Sequence, residues 1–140
     1  MNEISEAFLL DTHTWVWVQQ GDARGARAAT VIEAARAEEG AFVSAISVWE
    51  LGILEKAGRV VLSHPLEEWL SMAYSVGRLR CVPVSSEIAL LTTRLPGDIH
   101  RDPADRILAA TARLMNLTLL TRDEALLAYA RQGYLRARKI

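Results

Sequence analysis

Polar and apolar positions fall into blocks along the chain. Short apolar runs bounded by polar residues occur at Ala7–Leu10, Ala41–Val43, Arg80–Val84, Leu117–Leu120 and Tyr134–Arg138, and their length predicts buried strands. Longer stretches between them predict helices: Thr12–Gln19, Ala23–Ala37, Ala45–Ala57 closed by Gly58, and Pro65–Val76 with proline in its first turn. Ser86–Arg94, Pro103–Met115, and Glu124–Gln132 closed by Gly133 complete the series. Strands separated by helices predict an α/β fold with a parallel sheet covered on both faces. In such sheets the functional crevice lies beyond the carboxyl ends of the strands, where the strand order reverses.

Length and composition narrow the class. A chain of 140 residues predicts one domain over 1–140, and 51% hydrophobic with 24% charged residues excludes the apolar-poor signature of disorder. A single cysteine, Cys81, excludes an internal disulfide and a zinc site built on several thiolates; on a strand it reads as a small buried hydrophobe. Glu3 and Glu6 stand where an export signal carries lysine or arginine, and no apolar run is long enough to cross a membrane, so a cytoplasmic protein without membrane contact is expected.

The formal net charge of −1 argues against binding nucleic acid by bulk attraction. Residues 98–140, however, hold eight basic groups against five acids, a surplus of 8 − 5 = +3, which leaves −4 for the preceding residues. Any grip on a polyanion must be local.

Four carboxylates occupy positions where chemistry is expected. Asp11 and Asp123 follow the first and fourth apolar runs, at the carboxyl edge of buried strands, and either can instead be an N-cap. Glu50 falls among Ile46, Trp49, Ile53, Leu54 and Ala57, an apolar stripe at helical spacing, where a carboxylate is costly unless paired or bound to a cation. The alternative is a capping box, Ser47-Val48-Trp49-Glu50, which requires the helix to start at Ser47 rather than after Ser44. Asp105 follows Asp102, which reads as an N-cap, and lies in a first helical turn where the helix dipole alone favours an acid. With few soft donors beside them, these hard oxygens select Mg²⁺ or Mn²⁺, and a carboxylate-held ion of that kind serves phosphoryl chemistry.

The segments Leu9-Leu10-Asp11-Thr12-His13, Ser44-Ala45-Ile46-Ser47-Val48-Trp49-Glu50-Leu51, His100-Arg101-Asp102-Pro103-Ala104-Asp105-Arg106 and Thr121-Arg122-Asp123-Glu124, in this order and spacing, resemble the PIN-domain ribonucleases, and among them the VapC-type toxins of toxin–antitoxin modules. The resemblance implies a three-layer fold with sheet order 3-2-1-4-5 and an acidic, metal-binding catalytic set of Asp11, Glu50, Asp105 and Asp123. It implies Mg²⁺- or Mn²⁺-dependent hydrolysis of RNA, a VapB-type antitoxin partner and a homodimer. Thr12 and Thr121 are then plausible hydroxyls orienting the acids. Arg101, Arg106 and Arg122 could hold substrate phosphates, or could instead pair with the acids.

The resemblance does not require His13 or His100, which read as surface or satisfied histidines. Trp15 and Trp17 cannot both face one core from a short helix, so one is available for a protein contact; Trp69, Met72 and Tyr74 read as core or dimer packing. Two other readings compete. A phosphoaspartate phosphatase would need a second aspartate two positions after Asp11, where His13 stands. A non-catalytic PIN module would keep the acids and act through its partner alone.

Overall fold

The computed structural model describes residues 6–35, 40–75 and 79–140. Five strands, β1 (Phe8–Leu10), β2 (Ala41–Ser44), β3 (Leu79–Val82), β4 (Thr118–Thr121) and β5 (Ala137–Lys139), form one sheet in the order β3-β2-β1-β4-β5. Every pairing is parallel. Successive side chains of a strand point to opposite faces, and the core divides accordingly. Phe8 and Leu10 of β1 pack with Trp15, Ala28, Leu51 and Trp69 on one face. Leu9 and Leu119 pack with Leu108, Leu126 and Tyr129 on the other.

The helices are α1 (Thr12–Gln19), α2 (Ala26–Ala34), α3 (Ala45–Lys56), α4 (Leu66–Ser75), α5 (Ser86–Thr92), α6 (Pro103–Met115) and α7 (Glu124–Arg131). Trp15 and Trp69, each almost fully buried, meet edge to face at 5.1 Å and join α1 to α4. The Gln20 side chain locks the same corner, since its Oε1 accepts both the Trp69 indole N–H at 3.2 Å and the Ser63 backbone N–H at 2.9 Å. No helix among the described residues is long and apolar enough to cross a membrane.

Several expectations need correction. The helix expected over 23–37 is a 3₁₀ turn (Ala23–Gly25) followed by α2, because Gly25 presses against the end of α1; residues 36–39 lie outside the described ones, as does Val76 at the expected end of the fourth helix. Strand β3 stops at Val82, before Pro83, and β5 begins only at Ala137. Cys81 is exposed rather than buried, on β3 at the edge of the sheet. Of the three side chains assigned to core or dimer packing, Trp69 is core, Tyr74 packs against it and Met72 is exposed.

The α3 stripe is also rotated from expectation. Ser47 and Leu51 are the buried residues of this helix, whereas Trp49 and Ile53 are 57% and 46% exposed. Hydrophobicity around α3 is too even to choose a face. A polar contact chooses it instead, the Ser47 hydroxyl lying 2.8 Å from that of Thr12.

Candidate active site

Three of the predicted carboxylate positions are fixed by helix starts at the carboxyl ends of strands. Asp11 caps α1, its Oδ1 accepting the Thr14 N–H at 2.9 Å. Asp123 caps α7 through the Leu126 N–H at 3.0 Å. Asp102 caps α6 by accepting the Asp105 N–H at 3.0 Å, and Pro103 follows at the first helical position, so Asp105 rises from the first turn. Helix α3 starts after Ser44, whose hydroxyl accepts the Ile46 N–H at 3.1 Å. That start removes the capping-box explanation of Glu50, which stands one turn further on.

Strands β1 and β4 are neighbours, so Asp11 and Asp123 come to the same edge of the sheet. A cleft of about 500 Å³ there is lined by Asp11, Glu50, Asp105 and Asp123 together. Capping uses one carboxylate oxygen of Asp11 and one of Asp123. The capping alternative is therefore true of both acids and does not exclude their use in the cleft.

Two threonines orient the acids. Thr121 donates its hydroxyl to Asp11 Oδ2, and its oxygen accepts the Asp123 backbone N–H at 2.9 Å. Thr12 donates to Glu50 Oε1 while lying beside Ser47 Oγ. Both threonines are buried, so these bonds are shielded from water.

Electrostatics identify a cost in this arrangement. Burial pushes the Asp105 carboxyl up to about 7, and Asp102, Asp123, Glu50 and Asp11 add to the shift in that order. Converging negative oxygens raise one another's proton affinity unless a cation neutralises them. Hard carboxylate donors of this kind fit a divalent ion such as Mg²⁺ or Mn²⁺.

The surroundings of the acids differ from expectation. Of Arg101, Arg106 and Arg122, only Arg122 lines the cleft. Arg106 turns back to donate to the carbonyl oxygens of His100 at 3.1 Å and Ile99 at 3.3 Å, so it braces the loop before α6. Arg101 is exposed and outside the cleft lining. Arg122 donates its Nε to the Ile140 oxygen at 2.9 Å, which leaves its terminal nitrogens for other partners.

The sequence reading missed Arg59 and Trp17, which also line the cleft. Trp15 is the core indole of α1 and Trp17 the rim one. Arg122 and Arg24 lie 5.4 and 4.9 Å from the Trp17 ring centroid, and the exposed His13 ring lies 6.0 Å from it. His100 is satisfied as expected, but by an acid of the site: its Nε2 is 2.7 Å from Asp105 Oδ2.

Known proteins resemble this chain in sequence and in fold. The family model of the PIN domain matches residues 8–132. Ribonuclease VapC22 of Mycobacterium tuberculosis is 32% identical over 118 residues, covering 84% of this chain and 88% of that protein. Among solved structures, VapBC-1 from nontypeable Haemophilus influenzae superposes with a TM-score of 0.67 at 17% identity, over 95% of this chain and 97% of that one. Mycobacterium tuberculosis VapC20, described as a sarcin–ricin loop cleaving toxin, gives 0.63 at 16% identity, over 94% and 99%. At these identities the structural likeness speaks for the fold alone.

Proposed function

The chain belongs to the PIN-domain family, and from that premise we propose that it is a metal-dependent endoribonuclease, the toxin of a VapB–VapC type pair. The observation that carries this reading is the single cleft in which Asp11, Glu50, Asp105 and Asp123 meet at the carboxyl edge of the sheet. A relative named as a ribonuclease, 32% identical over most of both chains, supports it.

Asp11, Glu50 and Asp105 are the residues that would hold a divalent ion, with Asp123 completing the set. Bound there, Mg²⁺ or Mn²⁺ would activate water toward an RNA phosphodiester and neutralise charge developing on the phosphoryl group. The chain's own contribution is orientation. Thr121 and the Thr14 N–H hold one oxygen each of Asp11, and Thr12 holds Glu50, so the donors are in place before substrate arrives. Arg122 and Arg59 line the same cleft and supply positive charge for the flanking phosphates of RNA.

An antitoxin partner and a second copy of the chain are part of this proposal. Solved complexes of VapBC-1 type share the fold, and Trp49 and Ile53 leave large apolar surface in water on α3, as a protein contact requires.

The test is cleavage of RNA by the purified protein with Mg²⁺ or Mn²⁺. EDTA stops it, and Asp11→Asn abolishes it while circular dichroism shows the fold retained. Cleavage that persists in Asp11→Asn overturns the assignment.

A further inference from the structure

The donors around the cleft are not equivalent. Asp11 and Glu50 are oxygen donors engaged by threonine hydroxyls. Beside Asp105 and Asp123 stands a nitrogen donor, His100, at the exposed edge of the cleft and outside its lining. His100, Asp105 and Asp123 each offer one ligand atom, and these atoms all lie within 4.8 Å of one another. A six-coordinate ion with donors at about 2.1 Å sets neighbouring donors about 3.0 Å apart and opposite ones about 4.2 Å apart. His100 Nε2 and Asp105 Oδ2, 2.7 Å apart, are close to the spacing of neighbouring donors, and a ligand atom of Asp123 lies within 4.8 Å of both residues' ligand atoms, so small adjustments bring the trio around one ion.

His100 is held in this place by the fold. It lies in the loop before α6, and Arg106, on the first turn of that helix, reaches back to the carbonyls of Ile99 and His100. The arginine expected to grip substrate thus fixes the backbone that aims the imidazole. Asp105 and Asp123 arrive from the amino-terminal ends of α6 and α7. His13, which does line the cleft, is placed against the Trp17 ring on its rim.

We infer that His100 is a metal ligand, forming with Asp105 and Asp123 a mixed nitrogen and oxygen ion position that takes Mn²⁺ in preference to Mg²⁺. The chemical reason is donor type. Mg²⁺ is held by oxygen and loses its waters reluctantly, whereas imidazole suits first-row transition ions, and Mn²⁺ accepts both kinds of donor. The inference rests on the metal-dependent reading given above and adds to it a donor that the four carboxylates do not include.

The experiment is pulsed electron paramagnetic resonance on the full chain loaded with Mn²⁺, which reads imidazole nitrogen coupled to the ion without reference to activity. The wild-type protein shows coupling from one imidazole; His13→Asn retains it and His100→Asn loses it. In titration calorimetry His100→Asn weakens Mn²⁺ binding about tenfold and leaves Mg²⁺ binding less affected. Bound Mn²⁺ without nitrogen coupling in the wild-type protein, or coupling lost in His13→Asn and kept in His100→Asn, overturns the inference. If the wild-type protein still cleaves RNA with Mg²⁺ in that case, the proposed function stands without it. Absence of any Mn²⁺ or Mg²⁺ binding, together with cleavage that EDTA does not stop, defeats both.

Discussion

Thr121, the last residue of β4, donates its hydroxyl to Asp11, which follows β1, across the seam between the two central strands. The same oxygen accepts the Asp123 backbone N–H at 2.9 Å, so one buried side chain fixes two of the four acids. Thr121→Val keeps the shape and removes both bonds. The orienting partner of a metal-binding side chain is commonly worth 10–100-fold in affinity, so a loss of about tenfold or more in Mn²⁺ binding is expected. The unpaired Asp123 N–H costs about 1–3 kcal/mol of stability. Calorimetric titration and urea unfolding measure the two effects separately, and Mn²⁺ affinity unchanged from wild type would remove the orienting role.

Asp105 makes the metal-free protein sensitive to pH. Its carboxyl is raised from 3.8 to about 7, by burial first and then by the neighbouring acids. The native state therefore holds a proton that the unfolded chain has already released, and unfolding free energy falls as pH rises from about 4 to about 7. Divalent cations compete with the proton, so binding strengthens over the same interval and releases protons below about pH 7. Urea unfolding in EDTA at several pH values checks the slope, and Asp105→Asn removes this group's part of it. A wild-type slope that matches the Asp105→Asn slope would contradict the prediction.

Much of this was legible in the chain because the signals were local. Asp11, Asp102 and Asp123 each precede a helical stretch, and each caps one. The apolar runs gave the strands, and helices between them required parallel pairing, as observed. What was not legible depended on contacts between distant segments. The face of α3 follows from Ser47 meeting Thr12, thirty-five positions away, and not from the apolar stripe that contains Trp49 and Ile53. Arg106 looked available for substrate because its partners are backbone carbonyls, which carry no residue-type signal. Cys81 looked buried because an apolar run does not reveal which strand forms the sheet edge.

Arg122 and Arg106 give opposite expectations for RNA binding. Arg122 lines the cleft with its terminal nitrogens free of the Ile140 contact, whereas Arg106 is spent on the loop before α6. Arg122→Gln raises KM for RNA and lowers the magnitude of the salt-dependence slope by about 0.7, the value for one single-strand phosphate contact. Arg106→Gln leaves the slope unchanged. It loosens His100 instead, so its defect is expected in Mn²⁺ affinity. Fluorescence anisotropy of labelled RNA across a salt series, with Asp11→Asn as the background to prevent cleavage, measures the slopes. Equal slope changes in the two variants would refute the division of roles.

Gly25 and Gly52 predict stability changes of opposite sign. A Cβ on Gly25 would stand 2.6 Å from the Val18 backbone nitrogen and 2.7 Å from the Trp17 carbonyl carbon. Backbone cannot yield as a side-chain tip does, so Gly25→Ala pushes the 22–25 turn away from α1. Overpacking of this kind costs about 1–3 kcal/mol. The turn carries Arg24, forked on Asp22 at 3.0 and 2.8 Å and lying over Trp17, so the cleft rim shifts with it. Gly52 lies within α3, where an added Cβ meets only the Leu66 side chain at 3.8 Å, an ordinary contact. Gly52→Ala therefore gains helix propensity without a clash, about 0.5–1 kcal/mol. Urea midpoints should fall for Gly25→Ala and rise for Gly52→Ala. A Gly25→Ala protein as stable as wild type would mean that the turn does not pack on α1 in solution, and the Arg24–Trp17 contact at the cleft would go with it.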